Sequence, residues 1–162
     1  MLNQADTSTT LRAIPWFLDL SSESVQQLNS ISDFISVNNG DIIFEEGDQH
    51  PYLYIVLEGK IALESFIPGR GNIPILTAEY LDVVGWSSLT PVVRQKTCTA
   101  RAIEDTKLLV FDAEKLMICC VKDNELGFVI MRRLANIAAS HMLNQRLHLL
   151  EVITDQDKCN QG

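Results

Sequence analysis

The chain has 162 residues, 46% hydrophobic and 21% charged, which suits one compact core with an appended helix. Its 13 Lys and Arg are scattered and outnumbered by 21 Asp and Glu, for a formal charge of −8, which argues against a free-standing nucleic-acid binder. The opening MLNQADTSTT has neither a basic nor an apolar region of a leader, and no later stretch is a membrane span, so a soluble cytoplasmic protein is expected.

In chain order, residues 1–9 are expected to be a flexible N-terminus. The segment TLRAIPWFLDL places Leu11, Ile14, Phe17 and Leu18 at helical spacing, and Ser21 is placed to cap a second helix, SESVQQLNSI. From Phe34 the period changes. FISVNNGDIIFEEGD and YLYIVLEGKIALESFI are β-branched and aromatic runs punctuated at Gly40, Gly47 and Gly59, a pattern of hairpins. A turn over Pro68 to Gly71, then TCTARAI and TKLLVFD, complete an eight-stranded β-roll of jelly-roll type, so residues 10–122 are predicted to be a mainly β domain with flanking helices.

Asp112 is placed to cap AEKLMICCV, and residues 123–153 form a long helical run without proline, followed by a flexible tail, 154–162. That run is too apolar for one buried face. One stripe carries Phe128, Met131, Ala135, Ala138 and Met142; another carries Ile130, Leu134, Ile137, His141, Asn144 and His148; Leu126, Val129, Leu143, Leu147 and Leu150 make a third. One side is expected to lie on the roll and another to meet a second copy, giving a homodimer with Ile130, Leu134, Ile137, His141 and Asn144 in the seam. A helix wrapped on its own roll without a partner is the alternative.

Cys98, Cys119, Cys120 and Cys159 lack CxxC spacing and encode neither a zinc cluster nor a disulfide framework; the first three are read as small core hydrophobes. His50 is the only histidine within the roll, too few for a metal site of cupin type, and no metal is expected. No Ser/His/Asp or Cys/His grouping suggests covalent catalysis, so the protein is expected not to be an enzyme.

Taken together, LRAIPWFLDLSSESVQQL, NNGDIIFEEGD, YIVLEGKIAL, VGWSSL, TARAIEDTKLLVFDAEKL and the final helix resemble the cyclic-nucleotide-binding domain of the catabolite-activator and fumarate-nitrate regulator superfamily, over roughly residues 10–150. The resemblance implies a phosphate-binding cassette, approximately F-G-E-L-A-L, a loop, then P-R-A-A-x-V-R-A. In it a short helix presents backbone N–H groups to the cyclic phosphate, a glutamate holds the ribose 2′-hydroxyl and an arginine pairs with the phosphate. In VVGWSSLTPVVRQKTCTARA the glutamate position falls on Trp86 and the arginine position on Lys96.

Trp86 offers only an N–H donor, and Lys96 is a point charge without the guanidinium fork. Losing the carboxylate contact alone removes a charge-assisted hydrogen bond of about 1.5–3 kcal/mol. The ligand-binding residues implied are Gly85, Trp86, Ser87, Ser88, Leu89, Arg94, Lys96 and Thr97, with Ser140 on the long helix as a further contact. Cysteine is missing from the first 97 residues, against an iron–sulfur cluster there, and only TDQDKCNQG follows Ile153, so no helix-turn-helix and no direct DNA binding are expected. The expectation is a stand-alone signalling module that takes cAMP, cGMP or another phosphate-bearing small molecule weakly. The alternative is a protein-interaction domain whose pocket is filled by Trp86.

Overall fold

The computed structural model describes residues 4–90 and 95–160. Helix α1 (Gln4–Ala13) is followed by a 3-10 turn over Pro15–Phe17 and by α2 (Ser22–Ser30), whose first turn is capped by the Ser21 hydroxyl accepting from the Ser24 N–H. Helix thus begins inside the segment expected to be flexible. The eight strands are β1 (Ser32–Val37), β2 (Ile42–Phe44), β3 (Tyr52–Glu58), β4 (Ile61–Ile67), β5 (Gly71–Ala78), β6 (Val83–Val84), β7 (Thr99–Ala102) and β8 (Thr106–Asp112). Asp112 caps α3 (Ala113–Lys122), and α4 runs from Asn124 to Asn160. It passes through the expected tail, where the sequence holds neither proline nor glycine until Gly162.

Two four-stranded antiparallel sheets, ordered β1-β8-β3-β6 and β2-β7-β4-β5, form the roll. The alternation of side chains along β3 and β8 sorts their apolar runs onto two cores. Tyr54, Val56 and Leu108 point between the sheets with Phe44, Ile61, Leu63, Val84 and Ala100. Leu53, Ile55, Leu109 and Phe111 point outward, under Leu11, Ile14, Phe17, Val25, Leu28, Leu116, Leu126 and Ile130 of the helices. YLYIVLE is therefore a continuous apolar run because both faces of its strand are covered.

Helix α4 starts on a built joint. Asp123 accepts from the N–H groups of Glu125 and Leu126 and from the Ser24 hydroxyl at 2.5 Å, fastening α2 to the start of α4. These bonds hold the Asp123 carboxyl below the usual range, the Ser24 hydroxyl contributing most. Leu126 and Ile130 are buried against the roll, and Leu134 and Ile137 pack on the same core. The stripe expected to meet a second copy is thus the one α4 lays on its own roll, while Phe128, Met142, Leu143 and Leu147 stand exposed. A single sequence does not reveal which stripe the roll takes, since all three are apolar. Among the described residues no helix is long and apolar enough to cross a membrane.

The turn after β3 depends on Gly59, at φ +82°, where an added Cβ would lie 2.5 Å from the Asp105 carbonyl oxygen. Gly59→Ala is expected to lose about 2–4 kcal/mol, from left-handed strain plus the clash, read as a lower urea midpoint. An unchanged midpoint would show that the β7–β8 turn gives way freely.

Candidate functional site

The turn after β6 and the residues just before β7 meet at a buried cation. Gly85 adopts φ +79°, and a Cβ there would meet the Tyr52 carbonyl oxygen at 2.9 Å and Lys96 Nζ at 3.1 Å. Only glycine lets β3, the turn and the lysine converge so closely. The 3-10 turn Trp86–Leu89 follows. Lys96 is 2% exposed, and its Nζ donates to the Gly85 carbonyl at 3.1 Å, to the Tyr52 carbonyl at 3.2 Å and to Ser88 Oγ, beneath the Phe44 ring at 4.9 Å. An ammonium has three protons, and each has an acceptor within the protein. The Lys96 main chain pairs on both sides with the β2–β3 loop, donating to Asp48 and accepting from Gly47.

Polar groups extend from this point. The Ser88 hydroxyl lies 2.9 Å from the His50 carbonyl, and His50 Nδ1 is 3.2 Å from the Tyr54 hydroxyl. Burial, then the Lys96 charge, holds the His50 imidazole below its ordinary value. Burial likewise pushes the Cys98 thiol up to about 11, in keeping with its reading as a core hydrophobe.

Next to this cluster opens a cavity of about 330 Å³ between the roll and the second half of α4. Gly85, Trp86, Ser87, Lys96 and Thr97 form one wall; His141, Asn144, Gln145 and His148 form the other; Leu63, Leu76 and Val83 form the floor. A neighbouring cavity of about 400 Å³ shares Leu63, Leu76, Val83, His141 and Asn144 and continues toward Trp16, Asp82, Arg133, Asn136 and Ser140. Trp86 is half-buried and meets His141 edge-to-face, ring centroids 6.0 Å apart, so it joins the turn to α4 without closing the cavity. Such volumes and mostly apolar walls with convergent polar groups match small-molecule sites.

Of the residues predicted from the sequence, Gly85, Trp86, Ser87, Lys96 and Thr97 line the first cavity and Ser140 the second. Ser88 faces Lys96, Leu89 is buried in the helix-side core, and Arg94 lies outside the described residues. His141 and Asn144, expected at a dimer seam, line both cavities, as Arg133 lines the second; sequence reasoning missed these wall positions. The arginine of the ARA motif, Arg101, pairs instead with Glu64 across β7 and β4, Nε to Oε1 at 3.2 Å.

The family profile described as cyclic nucleotide-binding domain matches residues 34–123. Among solved structures, a cyclic nucleotide-binding domain from Methylobacillus flagellatus is similar at 20% identity with a TM-score of 0.74, over 91% of this chain and 83% of that one. The sensor domain of the transcriptional regulator DNR from Pseudomonas aeruginosa is similar at 18% identity and a TM-score of 0.71, over 91% and 95%. The catabolite activator protein of Thermus thermophilus is similar at 26% identity and a TM-score of 0.67, over 85% of this chain and 63% of that one.

Burial holds the Lys96 amine down at about 8, against an ordinary 10.5. Lys96→Met removes the charged donor from the Tyr52 and Gly85 carbonyls, which keep only the Ser88 hydroxyl and the Ser88 N–H, and is expected to cost about 1–3 kcal/mol in urea unfolding near pH 7. Between those two values the unfolded chain holds the proton that the folded chain has released, so this group's contribution to stability rises with pH. The advantage of the wild type over Lys96→Met should therefore widen from about pH 7 to about pH 9.5. A flat or narrowing gap would mean that Nζ keeps its charge when buried.

Proposed function

The chain belongs to the cyclic nucleotide-binding domain family, and from that premise we propose that it is a non-enzymatic sensor module holding a phosphate-bearing small molecule, cyclic nucleotides included, in the cavity between the roll and α4. The observation that carries this reading is that the cavity is open although Trp86 stands at its wall: about 330 Å³ remain between Gly85, Ser87, Lys96 and Thr97 on one side and His141, Asn144 and His148 on the other. An open volume favours a ligand over a pocket filled by Trp86.

The usual anchors are altered, which sets the expected affinity. Trp86 supplies no carboxylate for a ribose hydroxyl, and the three protons of Lys96 are engaged by the protein's own oxygens. A cyclic nucleotide would rely on the remaining wall groups and bind weakly. Because α4 supplies one wall of the cavity, and Trp86 touches His141 on it, occupancy would bias the angle of α4 to the roll. The exposed apolar side chains Phe128, Met142, Leu143 and Leu147 fit α4 to pair with a second copy of the chain.

Calorimetric titration with cAMP and with cGMP is expected to give saturable binding with dissociation constants of about 10 μM to 1 mM. The absence of heat, and of any thermal shift with either nucleotide, nucleoside phosphates or sugar phosphates, would sink the sensor reading. Light scattering coupled to size exclusion should return twice the chain mass of 18.2 kDa, and Leu143→Glu with Leu147→Glu should return the monomer mass. A wild-type monomer at tens of micromolar would remove the dimer.

A further inference from the structure

We propose that Arg133, on α4, is the residue that binds the anionic group of the ligand, at the far end of the cavity system from Lys96. This rests on the reading of the space between roll and α4 as the ligand site, and it places the anion contact on the helix rather than on Lys96 and the turn after β6.

The observation behind it is a guanidinium at a cavity wall whose terminal nitrogens are open and carry no hydrogen bond among the described residues, while its Nε is sealed against the protein. Its guanidinium carbon stands 5.7 Å from the centroid of the Trp16 ring, and among the described residues it forms no ion pair. Neighbouring Arg132 sits differently, over the exposed Phe128 ring.

The side chain stands at the border between the helix-side core and a cavity. Arg133 lines the space of about 400 Å³ together with Asn136 and Ser140, one and two turns further along α4, and with Thr77 and Asp82 from the roll. A guanidinium laid against an aromatic face presents its N–H groups in a plane, the geometry that receives two oxygens of a carboxylate or phosphate. Asn136 and Ser140 add neutral donors and acceptors beside it. Asp82 already accepts from the Glu79 N–H at 2.8 Å, and its negative charge disfavours a second anionic group on the roll side. The site therefore suits a molecule with one oxyanion at Arg133 and hydrogen-bond donors toward Asp82. Lys96 does not compete for that oxyanion, since its protons are bound internally.

The test follows the Arg133 Nε–H resonance in a ¹H–¹⁵N spectrum of the full chain, assigned through Arg133→Gln, during titration with inorganic phosphate, acetate and cAMP. A saturable shift of this resonance, larger than those of Arg12 and Arg132, is expected with phosphate or cAMP. A response to acetate alone would assign a carboxylate ligand. No preferential shift with any of the three overturns the proposal. Calorimetric binding of cAMP without movement of the Arg133 resonance would also overturn it while leaving the sensor reading intact. Movement with phosphate but no binding of cAMP would uphold Arg133 and remove cyclic nucleotides as ligands. Where cAMP binds, Arg133→Gln should weaken it at least tenfold and Arg133→Lys less, whereas unaltered affinity in both variants counts against the site.

Discussion

The buried ammonium of Lys96 is the constraint on which the cavity depends. A charge removed from water is costly unless its protons are bound, and here Gly85, Tyr52 and Ser88 bind all three. Satisfying them pulls β3, the turn after β6 and the loop before β7 onto one point. That convergence in turn requires a residue without Cβ at position 85, where the lysine nitrogen and the Tyr52 carbonyl leave no room. The turn after β6 is thus tied to β3 and to the β2–β3 loop by this one lysine.

From this point a chain of contacts reaches the helix. The turn held by Lys96 presents Trp86; Trp86 meets the edge of His141; His141 and Asn144 line two cavities that also share Leu63, Leu76 and Val83. The start of α4 is fastened to α2 through Asp123 and Ser24, and Leu126 and Ile130 are buried. Its second half touches the roll across the cavities and carries many of the chain's exposed large apolar side chains. The helix is thus fixed at one end and borders cavities at the other.

The roll and its order of elements were legible in the chain. Ser21 and Asp112 mark helix starts because short polar side chains satisfy the first N–H groups, and the glycines mark turns at positive φ. The proposed change of anchors rests on the sequence resemblance, which sets Trp86 and Lys96 where a carboxylate and a guanidinium would serve a nucleotide. These are local or motif-level properties, carried by a few neighbouring positions.

Which way Lys96 points was decided only by the tertiary structure, because its acceptors come from residues 8 to 44 positions away. The same holds for α4: three apolar stripes compete equally in the sequence, and only the position of Phe17, Leu28 and Phe111 in the core selects Leu126 and Ile130 to face them. With that rotation set, His141, Asn144 and Arg133 come to line the cavities and Phe128, Met142 and Leu147 face outward. The sequence by itself determined the fold; packing between distant segments determined where Lys96 and Arg133 stand and which of them is already bound.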